Sequence, residues 1–391
     1  ALKPPVEVPQ GAIRLNTDSQ KLEFYAQDQW WEMATEVAAP IGNRAVFCGG
    51  YASGAPAPKV TNTINYLSMT TGGLAVDFGD AVAANQDKAM LASRTRALIL
   101  DGSSNAIDYI TIATAGNAIA FGQSIHHNQN RSNGLSSQVR GVFAGEQNAP
   151  TGSNAVDYST IASLGNTIDF GDLTAECMSP GTGASPTRGI ITNITPSGYN
   201  GNIINYITIA STGNAVDYGD MSNGSSGNQC SSSPTRGVIM GGTAPSNLAP
   251  GAGALETNVI QYSTIASTGN TQEFGDCTTI TKNAAQAGNA TRTIAAGNSY
   301  PAINDTIQYI TIATLGNALN FGDLSSARIN SGAGASPTRV VITGGYGPSS
   351  PYYRDIMDYV AIATEGNAVD FGDLNVGNAY NNGFSNAHGG L

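Results

Sequence analysis

Tyr206-Ile-Thr-Ile-Ala-Ser-Thr-Gly-Asn-Ala-Val-Asp-Tyr-Gly219 is one of seven copies of a phrase that recurs through the chain. The other copies begin at Tyr66, Tyr109, Tyr158, Tyr262, Tyr309 and Tyr359, and they align with it without a gap. Seven residues after each tyrosine stands a glycine, from Gly73 to Gly366, and thirteen after stands another, from Gly79 to Gly372. The later glycines are separated by 43 to 56 residues. Within a copy, the half around Tyr-Ile-Thr-Ile alternates and uses the aromatic and β-branched residues that suit a pleated strand. Thr-x-Gly-Asn reads as a short loop whose glycine can take positive φ without a Cβ clash. Ala-Val-Asp-Phe-Gly-Asp is a second short strand, closed by a turn signal.

Two more strands complete the unit. Upstream of each tyrosine lies a piece such as Arg140-Gly-Val-Phe-Ala-Gly145, and the equivalent arginines are Arg44, Arg96, Arg140, Arg188, Arg236, Arg292 and Arg339. Before these runs a Gly/Ala/Ser-rich segment such as Gly332-Ala-Gly-Ala-Ser336. Four short antiparallel strands at a period near 49 residues are the blade of a β-propeller. The sequence therefore predicts an all-β chain whose residues 43–391 form a seven-bladed β-propeller. The small-residue strands are expected innermost, where blades crowd together. The first blade lacks its small-residue strand before Arg44, while Asn382-Gly-Phe-Ser-Asn-Ala-His-Gly-Gly390 near the C-terminus resembles it. This C-terminal strand is expected to pair with residues 44–50 and close the ring, removing an open edge.

The glycine-ended strand, the Tyr strand and the Phe-Gly strand resemble the kelch pattern, with Phe or Tyr in place of its Trp and with paired glycines often lost, as at Thr192-Asn193. The resemblance implies architecture and no partner.

Composition limits function. Among 391 residues only 12% are charged, 48 are glycine, and the net charge is −11. An acidic chain without clustered Lys and Arg is not built for nucleic acid. No apolar run approaches the roughly 20 residues of a membrane span, so no membrane insertion is expected. The segment from Ala1 lacks the apolar core of a signal peptide; Ala1 fits loss of an initiator Met and synthesis in a cytoplasm. Cys48, Cys177, Cys230 and Cys277 have no metal-type spacing and read as buried or idle thiols.

Residues 1–42 form a separate module with a different composition, including both tryptophans, Trp30 and Trp31. Alternation, a polar turn at Thr17–Gln20 and a second turn at Gln27-Asp28 predict a three-stranded β-meander. It is too small to hold a core alone and needs something to dock on. The stretch resembles a short element of tail fibres and other structural proteins of tailed bacteriophages. The matching positions are Gly11, Ile13, Arg14, Asn16, Thr17, Asp18, Leu22, Glu23, Tyr25 and Trp30 or Trp31. Phrases such as Thr235-Arg-Gly-Val-Ile-Met-Gly-Gly242 are also similar to repeats in structural proteins of marine and cyanobacterial phages. The two resemblances imply a virion protein assembled in a host cytoplasm. Ile13, Leu22, Tyr25, Trp30 and Trp31 would then be its anchor to other virion proteins or to copies of itself.

Catalytic candidates are scarce, and neither an enzyme nor a cofactor is expected. His126 and His127 share one inter-blade loop and read as a solvated polar turn rather than metal ligands. Asp-Phe-Gly-Asp stretches such as Asp77–Asp80 resemble the kinase magnesium motif, but they recur with the blade and have no kinase context. The repeated acids are expected to cap turns or to pair with the repeated arginines, with calcium as the other reading. The arginines themselves are expected to make a structural contact between blades. Strand order puts the near-constant Pro-Thr-Arg and Thr-x-Gly-Asn turns on one rim. The other rim carries loops of unequal length: Tyr51–Asn62, Thr243–Asn258, Asn298–Asp305 and Tyr346–Ile356. Uneven loops on a constant scaffold are where recognition usually sits. Tyr346, Tyr352, Tyr353 and Arg354, with Tyr300 and Tyr199, are the candidate contacts for a host cell-surface glycan or protein. The competing reading is a cement or adaptor protein of capsid or tail with no receptor.

Overall fold

The computed structural model describes residues 8–16, 21–32, 44–52, 59–86, 88–127, 133–146, 152–195, 201–222, 230–244 and 255–386. Its regular structure is all-β, with no helix among the described residues. The chain divides into two units, Ala1–Ile41 and Gly42–Leu391.

The smaller unit is a three-stranded antiparallel meander of Ile13–Asn16, Lys21–Ala26 and Gln29–Glu32. Gln27 and Asp28 join the last two strands with φ of 52° and 60°. Positive φ at both central residues is the two-residue hairpin turn whose twist suits paired strands. The expected turn at 17–20 lies outside the described residues.

The larger unit contains seven four-stranded antiparallel sheets. Sheet two shows the pattern: Ala89–Ala92, Arg96–Leu100, Ala106–Thr111 and Ile119–Gln123, each strand paired with the next. Sheets three to seven follow in chain order and end with Gly332–Ala335, Arg339–Thr343, Ile356–Ala361 and Val369–Asp373. Sheet one joins both ends of the unit: Asn382–Ser385 pairs with Arg44–Cys48, followed by Thr63–Ser68 and Val76–Asp80. The register sets Asn382 opposite Cys48 and Ser385 opposite Ala45.

Each sheet is buried on both faces, which is why its second strand reads as a continuous apolar run. In sheet one, Val46, Ile64 and Phe78 pack with Ala97, Ile99 and Ile112 of sheet two. The alternate residues Ala45, Phe47 and Leu67 pack with Val341, Met357 and Phe371 of sheet seven. Each fully buried Val, Ile or Phe contributes roughly 1.5–3 kcal/mol, so the cores between sheets hold the array together. The small-residue strands touch their counterparts in both neighbouring sheets, from sheet one through sheet seven and back to sheet one. Side chains staple them: Ser136 Oγ donates to the Ala92 carbonyl at 2.8 Å, and Thr182 Oγ1 to the Gly134 carbonyl at 3.0 Å.

The thirteenth-position glycines answer to this packing. A Cβ on Gly122 would lie 2.1 Å from the Gly165 carbonyl oxygen of the next sheet. A bulge in every third–fourth strand pair (between Ile107 and Asp108 in sheet two) bends the outer strand and turns its aromatic residue inward.

Candidate functional site

At the end of the sheets where the turns are constant, the repeated arginines have structural partners in the neighbouring sheets. Arg96 stacks its guanidinium over Tyr109 at 4.4 Å and donates from Nη1 to the Ile161 carbonyl of sheet three at 3.0 Å. Arg44, Arg140, Arg188, Arg236 and Arg292 repeat this with Tyr66, Tyr158, Tyr206, Tyr262 and Tyr309, each reaching a carbonyl of the following sheet. Arg339 of sheet seven stacks on Tyr359 and donates to the carbonyls of Met69 and Thr70 in sheet one.

The arginines therefore link sheets, as expected, but they do so through carbonyl oxygens. Among the described residues no pairing with the repeated acids is found, and of the seven arginines Arg292 is the one near a carboxylate there, 3.9 Å from Glu365. The acids cap instead: Asp77 Oδ1 accepts from the Gly79 N–H at 3.0 Å, as Asp169, Asp217 and Asp370 do from Gly171, Gly219 and Gly372. The asparagine of Thr-x-Gly-Asn is a clasp rather than a turn former. Asn117 Oδ1 accepts from the Asp80 N–H of the preceding sheet, and Asn166, Asn214, Asn270, Asn317 and Asn367 do likewise. At the seam between sheets seven and one this position is Leu74, which is 71% exposed.

The residue before each repeat tyrosine, overlooked in the sequence, is polar in all seven copies: Asn65, Asp108, Asp157, Asn205, Gln261, Gln308 and Asp358. All seven are buried, and six accept a backbone N–H from the segment leaving the preceding sheet, as Asp108 does from Val82. Asp358 is also held at 2.9 Å by Arg328, and both side chains are fully buried. Burial lowers the Arg328 pKa and the Asp358 charge opposes that fall.

The reading of the histidine loop as solvated holds for His126, which is 41% exposed, and is corrected for His127. His126 Nδ1 lies 2.6 Å from Asp157 Oδ1, and His127 is fully buried, 3.9 Å from Glu146. The turn folds inward because Ser124 and Thr167 also bond Asp157. Burial would raise the Asp157 carboxyl, but hydrogen bonds from Ser124 and Thr167 and the adjacent histidines hold it below its usual value. Burial pushes the His127 imidazole down, toward its neutral form. No metal-holding cluster of His, Cys, Asp and Glu occurs among the described residues.

The opposite end carries the uneven loops. Tyr346 stacks on Tyr352 with ring centroids 5.5 Å apart and an interplanar angle of 13°, and Tyr353 meets it edge-on at 5.6 Å. The loop is pinned by backbone bonds from Gly347 N to Tyr352 O and from Arg354 N to Gly345 O, and Tyr346 exchanges two bonds with Ile329. Arg354 is half-buried, with its guanidinium lying over Gly347. Two tyrosines not singled out in the sequence lie nearby in the fold. Tyr51–Ala52 pairs with Asn378–Ala379, and Tyr51 meets Tyr380 edge-on at 6.1 Å. The Asn378 N–H donates to the Arg354 carbonyl at 2.9 Å and ties the two segments together, and burial raises the Tyr353 phenol, with Tyr346 and Tyr51 raising it further.

Tyr300 is 41% exposed on the sheet-six loop, and no ring contact joins it to this cluster among the described residues. Tyr199 lies outside the described residues. In the small unit, Arg14 sits over the Trp30 ring at 4.1 Å and bonds Glu23 at 2.8 Å, while Tyr25 meets Trp30 edge-on at 5.2 Å. Ile13 is 63% exposed. Leu22 is paired in register with Leu15, and Trp31 with Phe24.

No protein-family profile and no curated protein matches the chain. Among solved structures it is similar to "Structure of YjhT", with a TM-score of 0.52 and 9% sequence identity over 69% of this chain and 93% of that one.

Proposed function

We propose that the seven sheets close into a kelch-like seven-bladed β-propeller. We further propose that the chain is a virion structural protein of a tailed bacteriophage, a tail appendage or surface protein that contributes to host attachment. The carrying observation is the asymmetry between the two ends of the sheets. At one end the repeated arginines, and the asparagines of six of the seven Thr-x-Gly-Asn positions, bond the backbone of a neighbouring sheet. At the other, a pinned loop presents clustered tyrosines beside an arginine, the residue types that dominate recognition surfaces. The virion assignment rests on the resemblance of residues 11–31 and of the repeat phrases to phage structural proteins. In this reading the small unit joins other virion proteins or copies of itself, and the chain needs no cofactor.

The second reading, a decoration or cement protein without receptor binding, is favoured by one observation. Val76, Ile119, Ile168, Val216, Leu319 and Val369 stand at one repeat position and are each at least half exposed. A repeated apolar position at the constant end suits an assembly partner. Binding of the full chain to marine cyanobacterial cells, lost when loop 346–356 is replaced by the short loop of sheet two, supports attachment. Undiminished binding after that replacement, or a particle map with this loop buried against capsid or tail protein, overturns it in favour of cement.

A further inference from the structure

Tyr380 departs from its counterparts in sheets six and seven. In the segments entering sheets six and seven the equivalent residues are Asn283 and Asn330, and all three are left-handed, with φ of 57°, 52° and 59° for Asn283, Asn330 and Tyr380. Their backbones are joined in series, Asn330 N–H to the Asn283 carbonyl at 3.1 Å and Tyr380 N–H to the Asn330 carbonyl at 2.9 Å. Asparagine tolerates this conformation, whereas a bulky side chain there is a strained outlier. Full burial does not offset that strain, because Tyr380 remains 41% exposed. Strain kept at an exposed aromatic residue points to use of the ring.

The ring completes a row. Tyr380 meets Tyr51, Tyr353 and Tyr352 both pack on Tyr346, with Tyr352 47% exposed, and the Asn378 N–H, two residues before Tyr380, donates to the Arg354 carbonyl next to Tyr353 at 2.9 Å. The row crosses the seam between sheets seven and one, and pairing of Asn378–Ala379 with Tyr51–Ala52 holds its two halves together. We infer that this tyrosine row is a binding platform for a neutral saccharide, an assignment that rests on the attachment reading above and names its ligand class.

The negative π-faces of tyrosines attract the polarised C–H face of a sugar ring, and their hydroxyls can exchange hydrogen bonds with its hydroxyls. Burial raises the Asp373 carboxyl, with Asp355 and Asp370 raising it further, and the whole chain carries −11, so a neutral sugar is favoured over an anionic one. The pinned backbone limits the ordering cost of binding.

The test uses the full chain with Tyr380→Asn and Tyr352→Ala, titrated calorimetrically with maltoheptaose, cellohexaose and soluble mannan. The wild type is expected to bind at least one probe with Kd below about 1 mM, and each variant to lose tenfold or more. Tyr380→Asn is also expected to raise Tm by roughly 1–2 °C, since it restores the residue the left-handed position prefers. A purely structural tyrosine would instead lose stability on replacement. No binding to any probe, or binding unchanged in both variants, or a lowered Tm for Tyr380→Asn, overturns the platform. Cell binding that survives without saccharide binding sinks this inference and leaves attachment standing. Saccharide binding without cell binding does the reverse.

Discussion

Replacement of Arg140 by alanine tests the inter-sheet clasp. Arg140 donates to the Ile209 carbonyl of the next sheet at 2.8 Å and lies over its own Tyr158 at 4.3 Å. Leaving a largely buried carbonyl without its donor costs about 1–3 kcal/mol. The lost cation–π contact adds roughly 0.5–1 kcal/mol at a partly exposed site, and the aliphatic stem that covered Tyr158 adds a few tenths. The expected loss is about 2–3 kcal/mol, or roughly 3 °C in Tm for a body of this size. Urea unfolding followed by tyrosine fluorescence measures it, with circular dichroism checking that one transition remains. Lysine at the same position keeps the charge but not the planar stack, so Arg140→Lys should recover less than half of the loss. A shift below about 0.5 kcal/mol, within the scatter of ordinary surface substitutions, or full rescue by lysine, would refute the clasp.

Four further outcomes follow from the same geometry. Leu74→Asn should stabilise the chain by about 0.5–1.5 kcal/mol, because it supplies the clasp to the Asp373 N–H that the other six seams possess; an unchanged unfolding midpoint would count against that role. Gly122→Ala places a Cβ 2.1 Å from the Gly165 carbonyl oxygen, and should cost more than about 3 kcal/mol as backbone overpacking, measurable as loss of the soluble cooperative fold. Burial depresses the His127 pKa below its ordinary 6.5. Below pH 6.5 the unfolded chain therefore binds the proton that the folded chain refuses, and stability falls with falling pH. Asp157, Glu146 and His126 face this imidazole, and Asp157 contributes its own loss only below the carboxylate value of 3.8. His127→Leu should flatten the upper window in pH-dependent urea titrations and leave the lower one. Burial pushes Cys48 and Cys177 up to about 12, so neither should react with a thiol reagent at neutral pH until the chain unfolds.

The repeat was legible because its carriers have no substitutes. Only a flat cation on a long stem can cover Tyr158 and still reach the next sheet, so arginine recurs at one position and stands out by type. Only glycine fits where Gly122 meets Gly165, so it recurs too. The position before the tyrosine was missed because any acceptor of the right reach satisfies a backbone N–H. Asn, Asp and Gln alternate there, and the shared property is burial, which a sequence does not display. His127 was misread for a related reason: two adjacent histidines in a loop look solvated until the buried Asp157 carboxylate draws the turn inward. At the loop-bearing end, Tyr346, Tyr352 and Tyr353 were legible by proximity along the chain. Tyr51 and Tyr380 are 329 residues apart in number and meet only because the C-terminal segment returns beside the start of sheet one.

That return of the chain is the premise of every surface assignment made for the larger unit. A crystal structure of the full chain, traced through residues 382–385, tests it most directly. The account predicts density for seven sheets in one closed circuit, with Phe384 opposite Val46 and the Arg339 guanidinium against the Met69 carbonyl. Six or eight sheets, an open gap between sheets seven and one, or a C-terminal strand paired elsewhere would contradict it.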